Sequence, residues 1–192
     1  MGQNVTILKG NQLLLDNVSF QFPLGRRIGI VGPNGSGKSS LLEHIITAGE
    51  GITLSKKAVF SIYQQMDYQL EGDLSLVDYL MRGSDYEETV VRSVLHRLGF
   101  EQEEVSKKTV ENLSGGEATR LVIAKLFTDP SNVLVLDEPT NFIDIDTIQA
   151  LESLMKSYEG TILFTSHDRY FLENTAQQIW RIEDKKLELL KY

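Results

Sequence analysis

The sequence predicts an α/β protein with a parallel core sheet into which a helical segment is inserted. Two stretches, NVLVLDEP at 132–139 and TILFTSHD at 161–168, are apolar on both faces, as buried parallel strands are. A glycine-rich loop at 32–39 lies between a predicted strand and a predicted helix. Between 75 and 98, leucine and valine recur at helical spacing. The order β-rich, α-only and then β-α-β therefore indicates a core sheet with a helical insertion.

The other elements follow from hydrophobic periodicity and from turn residues. Further strands are predicted at 5–8, 13–22, 26–32 and 58–63 and, as an antiparallel pair, within 179–190. Further helices are predicted directly after the glycine loop, at 118–127 and at 144–158. Pro23 and Gly25 mark a turn between two early strands, and Gly99 is expected to follow the last helix of the insertion.

Composition limits the class of protein. A chain of 192 residues with 41% hydrophobic and 24% charged residues is expected to form one domain, with room for a small subdomain. The net charge of −8 makes nucleic-acid contact by this domain weak or local. The lack of cysteine excludes a disulfide scaffold and favours a reducing compartment. No apolar run could span a membrane and no signal peptide is visible, so we expect a cytoplasmic protein without membrane insertion.

The glycine-rich loop carries a phosphate-binding pattern. Gly32, Gly37, Lys38 and Ser39 fit G-x-x-x-x-G-K-[ST], with a strand before it and a helix after it. Glycines allow successive backbone N–H groups to turn towards phosphates, and the helix start adds partial positive charge. We expect Lys38 to reach the β- and γ-phosphates and the Ser39 hydroxyl to bind Mg²⁺. A glycine-rich turn that binds nothing is the alternative.

Acidic and imidazole side chains follow the two buried strands. Asp137 and Glu138 end one strand, and His167 follows the other. Ligands of open α/β sheets bind at this carboxyl edge. Asp137 suits a Mg²⁺ ligand, Glu138 suits a base that orients the attacking water, and His167 suits a contact to the γ-phosphate or to that water. The alternative is that they are solvated polar residues in turns.

A second glycine loop, LSGGE at 113–117, opens a predicted helix. Ser114 and Glu117 have the spacing of a capping box, which by itself explains a well-formed helix start. The box does not explain Gly115 and Gly116, which leave the backbone bare for the close approach of a phosphate or of another chain.

The motifs GPNGSGKS, LSGGE, LDEPTN and SHD occur in the order and spacing of an ATP-binding-cassette (ABC) nucleotide-binding domain, and the chain resembles that family over essentially its whole length. The resemblance implies the ABC ATPase fold of the P-loop NTPases. This fold has a parallel core sheet, an N-terminal antiparallel β subdomain and a helical subdomain insertion. We expect the ATP-binding core at about 1–66 and 119–192, and the helical subdomain with the signature loop at about 67–118.

The resemblance also implies roles for single residues. Asp137 resembles the Walker B aspartate that holds Mg²⁺, Glu138 the catalytic glutamate, His167 the switch histidine and Asp144 the D-loop residue. Gln64 resembles the Q-loop glutamine, with catalytic and Mg²⁺-binding roles, although the adjacent Gln65 leaves that register open. The Walker A residues expected to contact ATP are Gly32, Pro33, Asn34, Gly35, Ser36, Gly37, Lys38, Ser39 and Ser40.

Both glycine loops are used if two cassettes pair. In the ABC family the signature loop, here Ser114, Gly115 and Gly116, contacts the γ-phosphate of ATP held by a partner cassette arranged head to tail. The resemblance therefore implies a second cassette, on the same or a sister chain, as a partner. A cassette alone is expected to bind nucleotide well and to hydrolyse it poorly.

The subclass is indicated by LDEPTN and by SHDR at 166–169, which resemble ABC-F proteins, soluble two-cassette factors of which many act on the ribosome and some give antibiotic resistance. The ATPase subunit of a membrane transporter and a nucleotide-gated clamp without turnover are the alternatives. Phe142 departs from the histidine usual in ABC-F proteins. No aromatic residue occurs near Leu8 or Lys9, where the family stacks adenine, so we expect modest discrimination between ATP and GTP.

Overall fold

The computed structural model describes residues 1–63, 70 and 72–191. Eight strands are described: β1 (Gly2–Lys9), β2 (Gln12–Phe20), β3 (Arg27–Val31), β4 (Phe60–Tyr63), β5 (Val133–Leu136), β6 (Thr161–Thr165), β7 (Gln178–Glu183) and β8 (Lys186–Lys191). Seven α-helices are described in the same part of the chain: α1 (Lys38–Ile46), α2 (Leu76–Met81), α3 (Glu88–Arg97), α4 (Glu104–Lys107), α5 (Gly115–Thr128), α6 (Ile145–Ser157) and α7 (Arg169–Thr175).

A six-stranded sheet with the order β4-β5-β6-β3-β7-β8 forms the core. Its neighbours pair in parallel, except for the antiparallel pair β7–β8. Strands β3, β5 and β6 are central and adjacent, so their carboxyl ends lie at one edge. β1 and β2 form a separate antiparallel sheet. The predicted α/β class, with its parallel core sheet and N-terminal antiparallel strands, is confirmed.

The contacts divide the chain into two compact units, of which the first comprises Met1–Gln64, Asn132–Pro139 and Glu159–Tyr192. One apolar cluster fills this unit, and it includes Leu41 and Ile45 of α1 and Leu14 of β2. Gly29 of β3 lies against α7, because a Cβ at this position would be 2.7 Å from Cδ2 of Leu172. The core therefore seats α1 and α7 directly beside the strand that leads into the phosphate loop.

The second unit comprises Gln65–Ser131 and Thr140–Tyr158 and contains the helices α2 to α6. Its core includes Leu76, Leu80, Leu95 and Leu121, which are fully buried. Lys125 of α5 donates a 2.7 Å hydrogen bond to the carbonyl of Arg82 and thereby satisfies the end of α2. The helical subdomain boundaries expected from the sequence, 67–118, stay a prediction.

Two short helices had no counterpart among the predicted elements. Helix α4 has four residues and α7 has seven, too few turns for a hydrophobic period to be read. The side chain of Asp168 accepts a hydrogen bond from the backbone of Phe171, so Asp168 is the N-cap that starts α7. None of the helices in the described ranges is long and apolar enough to cross a bilayer.

Candidate nucleotide site

The loop between β3 and α1 has a backbone that requires glycine at particular positions. Gly37 has φ of +106°, and its α-carbon faces Leu14 so closely that a Cβ would lie 3.1 Å from the leucine Cβ. A Cβ at Gly32 would lie 2.6 Å from the carbonyl oxygen of Ile182. Pro33, Asn34 and the remaining glycine of the loop are exposed. The loop thus has glycine-dependent backbone turns and an exposed segment directly before α1, features that phosphate-binding loops share.

Lys38 folds back over this loop. The residue is only 7% exposed. Its ammonium group donates to the carbonyl oxygen of Gly32 at 3.0 Å and to that of Pro33 at 3.4 Å. Its Nζ also lies 3.0 Å from Nε2 of His167. Loop carbonyls and the histidine ring therefore compensate for the burial of this cation.

Glu138 joins Lys38 and His167 in a compact cluster. Its Oε1 lies 3.1 Å from His167 Nε2 and 3.7 Å from Lys38 Nζ. These are ion-pair distances without hydrogen-bond geometry, and neither carboxylate oxygen has a hydrogen-bond partner within the described part of the chain. The three predicted residues come from the ends of β5 and β6 and from the start of α1, and the structure brings them together.

The residues present fit a Mg-nucleotide. Buried oxygens of Glu138 and the buried Oγ of Ser36 have no hydrogen-bond partner within the described residues, which suits a site that receives further polar groups. Ser39 and Asp137 offer hard oxygen donors for Mg²⁺, and Ser40 follows in the first turn of α1. No cluster of three acidic or histidine ligands occurs among the described residues. The two oxygen donors Ser39 and Asp137 suit Mg²⁺, which keeps waters and substrate phosphates as its other ligands.

One residue of this site was not identified from the sequence. The Thr165 hydroxyl donates a 2.6 Å hydrogen bond to Oδ1 of Asp137 and accepts a 2.8 Å hydrogen bond from the backbone N–H of Glu138. Glu138 itself has φ of +49°, a left-handed conformation that costs about 1–3 kcal/mol for a residue with a side chain. The available signal was a hydroxyl at the end of the apolar run TILF, beside the SHD motif.

The signature loop forms the predicted capping box. Ser114 Oγ accepts from the backbone N–H of Glu117, and the glutamate accepts from the backbone N–H of Ser114 at 3.0 Å. Lys108 donates to Glu117 at 2.6 Å. Partial burial alone would raise the pKa of Glu117, but the hydrogen bonds from Lys108 and Ser114 outweigh it and lower that pKa to about 2. Gly115 and Gly116 are exposed, and a Cβ on either would meet nothing within 4 Å.

Two further predicted site residues are Asp144, in the second unit, and Gln64. Asp144 is the N-cap of α6 and accepts hydrogen bonds from the backbone N–H and the hydroxyl of Thr147. The backbone hydrogen bond from Thr147, opposed by partial burial, is the main cause of the lowered pKa of Asp144. Gln64 lies outside the described residues. Phe142, which replaces the histidine usual in ABC-F proteins, is 93% exposed. Leu8, at the position where the family stacks adenine on an aromatic residue, is 61% exposed.

A phosphate loop on a parallel sheet, with a lysine, a glutamate and a histidine at its mouth, defines a nucleotide-binding cassette. A family model described as ABC transporter matches residues 15–141. The chain belongs to this family of ATP-binding cassettes. ABC domains are ATPases that bind ATP, generally with Mg²⁺, and they pair with a second cassette.

Similar proteins refine the class. The erythromycin resistance ATP-binding protein MsrA of Staphylococcus epidermidis is 44% identical over 97% of this chain and 38% of its own length. The ATP-binding protein Uup of Escherichia coli (strain K12) is 39% identical over 92% of this chain and 29% of its own. Both are ABC-F proteins, and the similarity is consistent with an ABC-F-like cassette. The chain therefore spans only about a third of the length of these relatives.

A comparison with solved structures supports the fold. A solved structure described as the ATP binding subunit of an ABC transporter superposes with a TM-score of 0.76. The match covers 98% of this chain and 89% of that one, at 20% sequence identity. At this identity the similarity concerns the fold alone.

Proposed function

We propose that this chain binds Mg-ATP and hydrolyses it as one of two cassettes that pair head to tail. The observation that carries the proposal is the cluster of Lys38, Glu138 and His167 at the mouth of the phosphate loop. The cluster contains a buried cation, an imidazole, and a carboxylate that has no hydrogen-bond partner among the residues that the structure describes. These groups lie within 4 Å of one another and form a suitable set for a triphosphate and an attacking water.

The phosphate loop binds the nucleotide. Backbone N–H groups of 32–39 turn towards the β- and γ-phosphates, with the start of α1 adding partial positive charge. Lys38 exchanges the carbonyl oxygens of Gly32 and Pro33 for phosphate oxygens. Ser39, Asp137 and, by resemblance, Gln64 would hold the Mg²⁺.

Glu138 and His167 act at the reacting end. Bound Mg-ATP supplies a γ-phosphoryl group that is transferred to water, giving ADP and phosphate. When Lys38 turns to the phosphates, the Glu138 carboxylate loses its neighbouring cation and is free to accept a hydrogen bond from water. His167 donates to the γ-phosphate or orients that water. Gln64, as the Q-loop glutamine, completes this set.

The second cassette completes the site. Ser114, Gly115 and Gly116 would contact the γ-phosphate held by the partner, and Asp144 would contact that site from the D-loop. Because these glycines leave the start of α5 bare, a phosphate can approach its free N–H groups. Hydrolysis removes this contact and loosens the pair.

For the full-length protein we propose an ABC-F factor of the cytoplasm that acts on the ribosome, in translation or in antibiotic resistance. The similarity to MsrA and Uup supports this over a transporter subunit. Co-sedimentation of the full-length protein with ribosomes, dependent on ATP, is the expected result. Co-purification with a membrane permease instead would favour the transporter.

The nucleotide chemistry is tested by two variants. Lys38→Ala removes the buried cation and is expected to weaken Mg-ATP binding at least about tenfold, measured by calorimetry. Glu138→Gln keeps the size of the side chain and is expected to bind Mg-ATP within about threefold of the wild type, while phosphate release falls about 100-fold. Lys107→Ala, on an exposed pair with Glu103, is the control and changes neither. Turnover by Glu138→Gln at the wild-type rate would contradict the role of the carboxylate.

A further inference from the structure

We propose that the Thr165 hydroxyl is a positioning group that sets the metal-facing carboxylate of Asp137 and the backbone of Glu138 together. This inference rests on the proposed function, because it assigns Asp137 to Mg²⁺ and Glu138 to the attacking water. The Thr165 hydroxyl is hydrogen-bonded to these two residues and acts through them.

The geometry places one hydroxyl between both partners. Thr165 is the last residue of β6 and is 0% exposed. Strand β6 pairs in parallel with β5 so that Phe164 lies beside Leu136, and the next residues on the two strands are Thr165 and Asp137. A hydroxyl has one donor and two acceptor sites. Thr165 therefore donates to Asp137 Oδ1 and accepts from the N–H of Glu138 at the same time.

The two hydrogen bonds of Thr165 link the orientation of the Asp137 carboxylate to the backbone conformation of Glu138. The donated bond holds the Asp137 carboxylate in one orientation, with Oδ1 turned to the threonine. The accepted bond gives the Glu138 N–H a partner while that residue has φ of +49°. Without the hydroxyl, the amide loses its partner and the left-handed turn loses a contact that maintains it. The carboxylate of Glu138 would then move relative to Lys38 and His167.

The neighbouring positions of β6 indicate that the Thr165 hydroxyl has a function beyond filling space in the core. The other residues of β6 between its two threonines are Ile162, Leu163 and Phe164, all buried and apolar. Valine has nearly the shape of threonine and would fill the same space in a buried strand. A buried hydroxyl is tolerated only when it is hydrogen-bonded, and both bonds of Thr165 go to the residues that end β5.

Thr161 offers a matched control on the same strand. It is buried at 6% exposure and accepts a 2.9 Å hydrogen bond from the backbone N–H of Gly25. Thr161 starts β6, whereas Thr165 ends it, so Thr161→Val removes a backbone-to-hydroxyl hydrogen bond at the opposite end of the same strand. Any general effect of losing a buried hydroxyl from β6 appears in both variants.

The experiment compares Thr165→Val, Thr165→Ser and Thr161→Val by urea unfolding, by ATP binding as Mg²⁺ is titrated, and by turnover. For Thr165→Val we expect ATP binding in EDTA within about twofold of the wild type. The Mg²⁺ concentration that gives half of the Mg²⁺-dependent increase in ATP affinity should rise about tenfold. The kcat of ATP hydrolysis should fall about tenfold or more. Thr165→Ser keeps the hydroxyl and should restore both to within about threefold. Thr161→Val should lose stability without either change.

The outcomes separate the two levels of the proposal. If Thr165→Val matches Thr161→Val in Mg²⁺ dependence and kcat, the positioning role is wrong while the proposed function stands. If the wild type does not bind Mg-ATP, the proposed function fails and this inference fails with it. Should Thr165→Val not fold, Thr165→Ala is measured in its place, and rescue by Thr165→Ser remains the deciding comparison.

Discussion

At the residue scale, Glu117 illustrates how one side chain serves two tasks. It closes the capping box with Ser114 and pairs with Lys108, so the loop that opens α5 is held from both sides. Between them, Gly115 and Gly116 are exposed, and a Cβ on either would meet nothing within 4 Å. A rigid frame around a bare backbone is what a phosphate-binding helix start requires.

The pH dependence of Glu117 follows from its pKa of about 2 in the folded chain. Its ordinary value is 4.5, so the stabilisation is complete above about pH 5 and is lost as pH falls through 4.5 towards 2. Glu117→Gln should lower the free energy of unfolding by about 2 kcal/mol at pH 7, and about half of this difference should have vanished at pH 3. Urea titrations of both proteins across this range measure it.

Glu103→Gln is the matched control for this titration. Glu103 pairs with Lys107 at 3.3 Å, but both side chains are exposed. Its replacement should change the free energy of unfolding by less than about 0.5 kcal/mol at any pH. A Glu117→Gln effect that stays constant between pH 7 and pH 3 would contradict the lowered pKa.

At the element scale, β3 links the core to the site. Its two neighbours in the sheet are β6 and β7, and it runs straight into the phosphate loop. Helix α7, which follows His167 and Asp168, packs on Gly29 in the middle of this strand. The close approach of helix and strand therefore fixes where the histidine segment enters the site.

Gly29→Ala tests this packing. The added Cβ would lie 2.7 Å from Cδ2 of Leu172 and 3.4 Å from Cβ of Ala176, so α7 or its leucine must shift. We expect a loss of about 1–2 kcal/mol in the free energy of unfolding. In the background of Leu172→Ala the same substitution should cost much less, and a double-mutant cycle measures the coupling. Additive losses would mean that the helix does not rest on Gly29.

At the scale of the whole molecule, the proposed function uses two glycine loops, of which only one would hold the cassette's own nucleotide. Lys38 and the loop after β3 belong to the first unit, and Ser114 to Gly116 belong to the second. Pairing with a second cassette, as the family does, gives both loops a γ-phosphate to contact. In the proposed pair, ATP would lie in the interface and strengthen it by mass action.

ATP-dependent pairing is expected to be clearest with Glu138→Gln, which binds ATP without consuming it. This variant should elute as a dimer with saturating Mg-ATP and as a monomer without it, by size-exclusion light scattering. Adding Gly116→Ala should abolish the dimer without lowering the free energy of unfolding in urea, because a Cβ there meets nothing within 4 Å in the monomer and alanine favours the helix. A Glu138→Gln protein that stays monomeric would mean that this cassette requires a different partner cassette.

Local sequence determined the class of this protein. Turn formation, strand burial and helix capping each depend on a few consecutive residues. The loop at 32–39, the apolar strands and the capping box could therefore be recognised from short stretches of sequence. These features were enough to predict the α/β core and to nominate Lys38, Glu138 and His167. The short helices α4 and α7 were not predicted, because each has too few residues to show a helical hydrophobic period.

Only the tertiary structure decided how the nominated residues meet. The turn of Lys38 onto its own loop carbonyls depends on burial by the surrounding core, and the bridge from Thr165 to Asp137 and Glu138 depends on the register of β6 against β5. Register and burial arise from contacts between segments far apart in the chain. A pattern in consecutive residues can therefore name the groups of a site, whereas the packing of the sheet sets the distances between them.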